Sequence, residues 1–318
     1  MNDKSKNVLE PLIVITGPTA TGKSDVGILV AEQLSGEIIS ADSMLLYRHM
    51  NIGTAKPTLE ERQGIPHHMI DIADPDQEYS VALYQNEARH LITETLKRNN
   101  LPILVGGTGL YIRAVIDPYE FGAASGKPEL RERLLIEAER EGYDKLHRRL
   151  LEVDPEAASK LHPRDSRRII RALEVYYLTG QPISSYNKLN QNHRPLYRLF
   201  MFGLNMERSR LYQRIEQRVD SMLAAGLVEE VQSLLERGYS KELNAMRSLG
   251  YKEIAAYLTG ELSYEEAIEF LKRNTRRFAK RQLTWFRRDE RIRWLDIDEY
   301  GSLDAVAKEI TKSIEGVF

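Results

Sequence analysis

Gly17-Pro-Thr-Ala-Thr-Gly-Lys-Ser24 fits the pattern G-x-x-x-x-G-K-[ST] residue for residue, and it stands where a phosphate-gripping loop has to stand. Leu12-Ile-Val-Ile15 before it is a short apolar run of the buried-strand type. After it, Asp25 to Leu34 places Val26, Leu29, Val30 and Leu34 on one helical stripe, with Gly36 expected as the stop. Glycines let such a backbone curl until successive N–H groups point inward, and the helix N-terminus adds positive partial charge. Gly17, Pro18, Thr19, Ala20, Thr21, Gly22, Lys23 and Ser24 are therefore expected to bind phosphate. Lys23 would reach the terminal phosphates and the Ser24 hydroxyl would ligate Mg²⁺. Strand, loop and helix together imply an α/β fold of P-loop NTPase type, a parallel sheet flanked by helices.

The loop does not say which phosphate it holds. Enzymes that split ATP place a second acid at the end of a hydrophobic strand to hold the metal. The candidate strand Pro102-Ile-Leu-Val105 ends instead in Gly106-Gly-Thr108. The available carboxylate is Asp42, after Glu37-Ile-Ile-Ser40. Ligands of open parallel sheets sit outside the carboxyl ends of the strands, so the loop, Asp42 and Thr108 should meet at that edge. A buried salt bridge is the other role open to Asp42.

The 318 residues suffice for one large or two ordinary domains. No apolar run approaches the roughly 18 residues that span a bilayer, and the first residues resemble no cleaved signal. Absence of Cys excludes disulfides and cysteine-ligated zinc. These features point to a cytoplasmic protein with no membrane association and no obligate protein partner.

A net charge of −2 hides segregation. Between Leu271 and Trp294 lie ten Lys and Arg against Asp289 and Glu290, and Arg164, Arg167, Arg168 and Arg171 form a second cluster. Arg-rich faces suit phosphate and base stacking.

Residues 8–117 alternate strand and helix. From 119 to 197 the texture is helical: Pro128 opens one helix, Asp154-Pro155 caps another, and a third runs from about Asp165 to Leu178. Leu199-Phe-Met-Phe202 returns as a strand, so 119–197 reads as an all-helical insertion between core segments 1–118 and 198–318. The remainder reads as helical, with a capping box at Ser263-x-x-Glu266. Leu271, Phe278 and Trp285 are expected to share its inward face.

Further motifs follow in order: Ile39-Ser-Ala-Asp-Ser-Met-Leu-Leu-Tyr47, Asn51-Ile-Gly-Thr-Ala-Lys-Pro57, Pro66-His-His-Met-Ile-Asp71, Gly106-Gly-Thr-Gly-Leu-Tyr111, His162-Pro-Arg-Asp-Ser-Arg-Arg168, Arg218-Val-Asp-Ser-Met222, Leu249-Gly-Tyr251 and Arg276-Arg-Phe-Ala-Lys-Arg-Gln-Leu-Thr-Trp-Phe286. From Pro11 to Leu295 the series resembles the bacterial tRNA dimethylallyltransferases, also called tRNA isopentenyltransferases. The resemblance implies transfer of a dimethylallyl group from dimethylallyl diphosphate to N6 of adenosine 37, in the tRNA anticodon stem-loop. It implies that the loop holds the donor's diphosphate with Mg²⁺ through Ser24.

By the same resemblance Asp42, Thr108, Arg218 and His67 are catalytic. The tRNA contacts it implies are Asp42, Ser43, Met44, Leu45, Thr108, Arg131, Ser166, Arg167, Arg168, Arg277, Lys280 and Arg281. One departure is visible: Leu45 and Leu46 stand where family members often carry Gln and Val.

Chemically, N6 of adenine is a weak nucleophile, so the diphosphate must leave easily and the N6 proton must be taken. Lys23, the backbone donors from Thr19 to Ser24, Arg218 and Mg²⁺ serve the first need. Asp42 serves the second, with Thr108 holding N6 or a phosphate by its hydroxyl. An ion pair with Asp220 or Glu216 is the other role open to Arg218. Two other classes of function are weighed: a P-loop kinase of a nucleoside or small metabolite, and a non-enzymatic RNA-binding protein. The basic helix has no evident use in the kinase, and intact Lys23, Ser24 and Asp42 argue against the binder.

Overall fold

A computed structural model describes residues 9–118, 127–185 and 195–316. It divides into two compact units, 117–195 and the remainder.

The larger unit is built on a six-stranded sheet: β1 (Glu10–Thr16), β2 (Gly36–Ser40), β3 (His67–His68), β4 (Leu101–Val105), β5 (Tyr197–Asn205) and β6 (Ile292–Asp296). Their spatial order is β3-β2-β4-β1-β5-β6, and every pairing is parallel. Leu12, Ile13, Val14 and Ile15 are all fully buried, which is why β1 reads as an unbroken apolar run. Ile13 and Ile15 pack on one face with Val26 and Val30 of helix Lys23–Leu34 and with Val306 and Ile310 of helix Leu303–Ile314. Leu12 and Val14 pack on the other with Ile92 of helix Val81–Lys97 and Ile112 of helix Gly109–Ile116. This two-period split is the geometry of a strand covered on both sides.

Three expectations change. Helix Lys23–Leu34 stops at Ser35, which takes the left-handed conformation (φ 51°), and Gly36 instead begins β2. A Cβ at Gly36 would lie 2.6 Å from Ile103 Cδ1, so the glycine serves close strand packing. β5 begins at Tyr197, paired with Glu10, so the insertion ends before the expected residue 197. Strands β3 and β6 were not expected at all.

A third cluster joins helices Arg208–Ala224, Leu227–Glu236, Tyr251–Leu258 and Tyr264–Phe286 around Val219, Val231, Tyr251 and Leu271. Ser263 and Glu266 cap the long helix reciprocally. Its inward stripe is Ala267, Leu271, Thr275, Ala279, Gln282 and Phe286. Leu271 belongs to it, but Phe278 is half-buried and Trp285 is exposed. A strict seven-residue step drifts about 20° per heptad around a straight helix, so that spacing leaves the buried stripe.

The smaller unit, within its described residues, packs helices Pro128–Glu141, Tyr143–Val153 and Ser166–Thr179 around Leu134, Leu150, Ile169 and Leu173. The Asp154 side chain caps the short helix Pro155–Ser159 by accepting from Ala157 N–H at 2.9 Å.

Candidate active site

The loop Gly17–Ser24 leaves β1 and curls through three left-handed residues, Gly17 (φ 136°), Ala20 (φ 66°) and Gly22 (φ 81°). Such turns aim backbone N–H groups into one concavity. Thr21 Oγ1 donates to Pro18 O at 2.9 Å and the Lys23 ammonium donates to the same oxygen at 2.7 Å, which fixes the curl from within.

Asp42 follows β2 and Thr108 follows β4. Asp42 Oδ1 accepts from Met44 N–H at 2.9 Å, a local turn that holds the carboxylate in place. The Thr108 hydroxyl accepts from Ser43 N–H at 3.1 Å, and Thr108 N–H donates to Ala41 O at 3.0 Å. Thr108 therefore sets the position of the Asp42–Ser43 turn. Neither oxygen of Asp42 makes an ion pair among the described residues, so the buried salt bridge is not what holds it.

Ala20, Gly22, Lys23, Asp42, Ser43, Met44 and Thr108 face one cavity of about 720 Å³. The phosphate loop, Asp42–Leu45, Gly106–Thr108, Arg218, Arg277 and Arg281 contribute to its wall. Arg218 is not engaged with Asp220 or Glu216, which pair with Lys272 (2.5 Å) and Arg276 (2.6 Å) instead.

Electrostatics give the cavity its sign. Burial and the nearby Arg218 guanidinium pull the Lys23 ammonium down to about 7, against the opposing pull of Asp42. Burial also lowers the pKa of Arg218, with Asp42 and Asp25 opposing. Two desolvated cations held beside each other are unfavourable on their own. Their arrangement becomes favourable with an anion between them.

For a metal, the described residues contain no group of three or more His, Asp or Glu placed to hold one. Ser24 lines the cavity beside Lys23. That donor set fits Mg²⁺, a hard cation that keeps several waters and takes its remaining oxygens from a phosphate.

The other expected residues fall in different places. His67 lies on the edge strand β3, paired in register with Ile38, with Nδ1 2.8 Å from Ile65 O. Burial lowers its pKa. It does not line the cavity, because strand pairing fixes it at the far side of β2. Leu45 lines the cavity, whereas Leu46 is fully buried in the core and its carbonyl accepts from Ile72 and Ala73. Lys280 is exposed beside Arg277 and Arg281.

In the smaller unit Arg131 is tied to the buried Glu174 at 2.8 Å and Arg168 to Asp165 at 3.1 Å, while Ser166 opens the helix and Arg167 is exposed. Of the ten basic residues between 271 and 294, Lys272, Arg276, Arg291 and Arg293 are in ion pairs. The Arg273 guanidinium stacks over Phe270. Arg277, Lys280, Arg281, Arg287 and Arg288 make no ion pair among the described residues.

One residue escaped the sequence reading. Gln282 bridges Thr19 N–H and Gly107 O, each at 2.9 Å. Its signal lay in Gly107, where a Cβ would come within 2.3 Å of Gln282 Nε2. From the sequence alone nothing says what crowds that glycine.

A family model described as IPP transferase matches residues 45–289. A tRNA dimethylallyltransferase of Pelotomaculum thermopropionicum is 62% identical over 313 residues, covering 98% of this chain and 99% of its own. That of Desulforudis audaxviator is 61% identical over 305 residues, covering 96% and 98%. Among solved structures, the tRNA isopentenylpyrophosphate transferase of Bacillus halodurans superposes with a TM-score of 0.70 at 44% identity, covering 96% of this chain and 97% of that one. A eukaryotic dimethylallyltransferase acting on tRNA gives a TM-score of 0.81 at 32% identity, covering 96% and 78%.

Proposed function

The chain belongs to the tRNA dimethylallyltransferase family, and from that premise we propose how its residues divide the reaction. The enzyme is a prenyltransferase that modifies adenosine 37 of tRNA. The donor is dimethylallyl diphosphate, and its diphosphate lies in the Gly17–Ser24 loop. Lys23 and Arg218 neutralise its charge, and the inward N–H groups from Ala20 to Ser24 donate to its oxygens, Thr19 N–H being taken by Gln282 Oε1. Ser24 would hold Mg²⁺ together with phosphate oxygens, and the ion would supply further charge neutralisation on the leaving group when bound.

Adenosine 37 enters from a loop in which a base is splayed out at modest cost. Asp42 accepts the N6 proton as the N–C bond forms and the C–O bond to diphosphate breaks. Thr108 holds Ser43 and with it the angle of that carboxylate. Arg277, Lys280 and Arg281 contact RNA phosphates from the long helix, and Ser166, Arg167 and Arg168 do so from the helical unit. His67 acts through the edge strand rather than by touching substrate. A tRNA substrate places the enzyme in the cytoplasm.

The observation that carries this reading is the meeting of Lys23, Arg218, Thr108 and Asp42 on one cavity wall. Asp42→Asn tests it in single turnover, with tRNA and donor both saturating. Loss of the base should slow transfer by at least about 10²-fold, the low end for general-base help, with tRNA affinity retained. A change in KM with an unchanged rate would remove Asp42 from the chemistry.

A further inference from the structure

The loop 51–57 lies in the connection between β2 and β3, and Gly53, Thr54, Ala55 and Pro57 line the cavity. It is wound into a tight turn: Ala55 N–H donates to Ile52 O and Lys56 N–H to Asn51 O, each at 2.9 Å. A turn wound this way leaves its first N–H groups without partners inside it. All three meet one side chain. Glu230, in the first turn of helix Leu227–Glu236, accepts from Asn51 and Ile52 N–H through Oε2 at 2.8 Å and from Gly53 N–H through Oε1 at 3.1 Å.

The same Oε1 accepts from the Tyr251 hydroxyl at 2.6 Å. Tyr251 is fully buried and opens helix Tyr251–Leu258, directly after the turn 247–250, which also lines the cavity. A Cβ at Gly53 would come within 2.5 Å of the Tyr251 ring, so the glycine lets loop and ring close together. One carboxylate thus ties two cavity-lining segments to one helix.

The loop needs that support. Ala55 holds a left-handed φ of 48°, which a residue with a Cβ keeps where its surroundings enforce it. At the far end the Lys56 ammonium donates to Tyr47 O at 2.7 Å and to Asp71 Oδ1 at 2.5 Å. The connection that ends in this loop begins with Asp42, so it carries the proton-accepting carboxylate first and a cavity wall after it. Thr108 holds the first through Ser43 N–H, and Glu230 holds the second. The small residues Gly53, Thr54 and Ala55 leave a backbone wall against which a planar base fits.

We propose that Glu230 is a positioning residue for the acceptor adenosine. By clamping residues 51–53 beside Tyr251 it fixes the wall that aligns N6 with Asp42 and with the donor carbon. The proposal rests on the reading above, in which the base enters this cavity.

The test is single turnover by the full chain carrying Glu230→Ala, with tRNA and donor both saturating. The rate constant reports alignment, and the amplitude counts folded, active enzyme. The rate constant should fall by at least about tenfold, since a misplacement of about 1 Å costs about 10²-fold. The amplitude should be kept. Affinities for pyrophosphate with Mg²⁺ and for an anticodon stem-loop should stay within about threefold of wild type, because the phosphates of neither ligand meet this loop. Glu229→Gln, which removes an exposed charge from the same helical turn, should match the wild type throughout. If Glu230→Ala does not fold, Glu230→Gln is read in the same way, since its NH₂ group turns a donor toward donors.

An unchanged rate constant overturns the proposal. So does a loss confined to the amplitude, which would make Glu230 a structural tie alone, and so does an equal loss of pyrophosphate affinity. The reading of the cavity fails separately, and takes the proposal with it, if Asp42→Asn keeps the wild-type rate constant.

Discussion

The long helix carries two kinds of arginine, and salt should tell them apart. Arg277, Lys280 and Arg281 are without ion pairs among the described residues, and Arg277 and Arg281 line the cavity. Arg276 lies beside them in sequence but is paired with Glu216 at 2.6 Å. Each phosphate neutralised releases counterions, and log affinity then falls with log salt at about −0.7 to −0.9 per contact. Replacing Arg277 and Lys280 by Ala should flatten the slope by about 1.4 to 1.8. Between 50 and 200 mM salt, the penalty caused by the double substitution should shrink by about 7- to 12-fold.

The control removes an ion pair whole, Arg276→Ala with Glu216→Ala, and should leave the slope within about 0.3 of wild type. The assay is fluorescence anisotropy of a labelled anticodon stem-loop titrated at four salt concentrations. Pyrophosphate binding checks that the phosphate loop is intact in each variant. Equal slopes for wild type and Arg277→Ala with Lys280→Ala would make this face a solvated surface and refute its role in gripping RNA.

Other outcomes follow from the geometry. Glu37 on β2 is 2% exposed and accepts from Arg98, Asn100 and His68. The Arg98 hydrogen bonds chiefly hold its carboxyl at about 2, below the ordinary 4.5. A depressed acid stabilises the fold above its unfolded pKa, and that stability fades as pH falls from about 4.5 through about 2. Allowing for screening on the half-exposed Arg98 side, Glu37→Gln should cost on the order of 2 kcal/mol at pH 7. The difference should vanish near pH 2, as read by denaturant unfolding.

Lys23, at about 7 in the free protein, must be charged to hold diphosphate. Above pH 7 donor affinity should therefore fall by about tenfold per pH unit relative to Lys23→Arg, in which the ligand's own titration cancels. Parallel pH profiles would refute that linkage. Ser24→Ala should raise the Mg²⁺ concentration needed for half-maximal transfer, and an unchanged requirement would remove Ser24 from the metal site.

Local features were the legible ones. Strand β1, the phosphate loop and the following helix are specified by residues adjacent in sequence, and the capping box at Ser263 by a four-residue pattern. What depended on distant pairing was hidden. β6 shows no alternation, since Ile292 packs on one face of the sheet and Leu295 on the other, and its Arg293 reads as part of a charge cluster. His67 drew attention as a chemical group, although its place is set by pairing with Ile38, which lies 29 residues earlier. The convergence of Asp42 and Thr108 with the loop was foreseeable from the rule for parallel sheets. The Gln282 bridge, which spans 263 residues to Thr19, was not.

The most direct measurement supplies the enzyme with Mg²⁺, unmodified tRNA and dimethylallyl diphosphate carrying label in the alkyl group, then digests the RNA to nucleosides. The account predicts label on N6 of a single adenosine per tRNA, that at position 37. It predicts none in a tRNA with guanosine there, and no phosphate transferred when labelled ATP replaces the donor. Phosphoryl transfer from ATP, or tRNA binding without incorporated label, would contradict it.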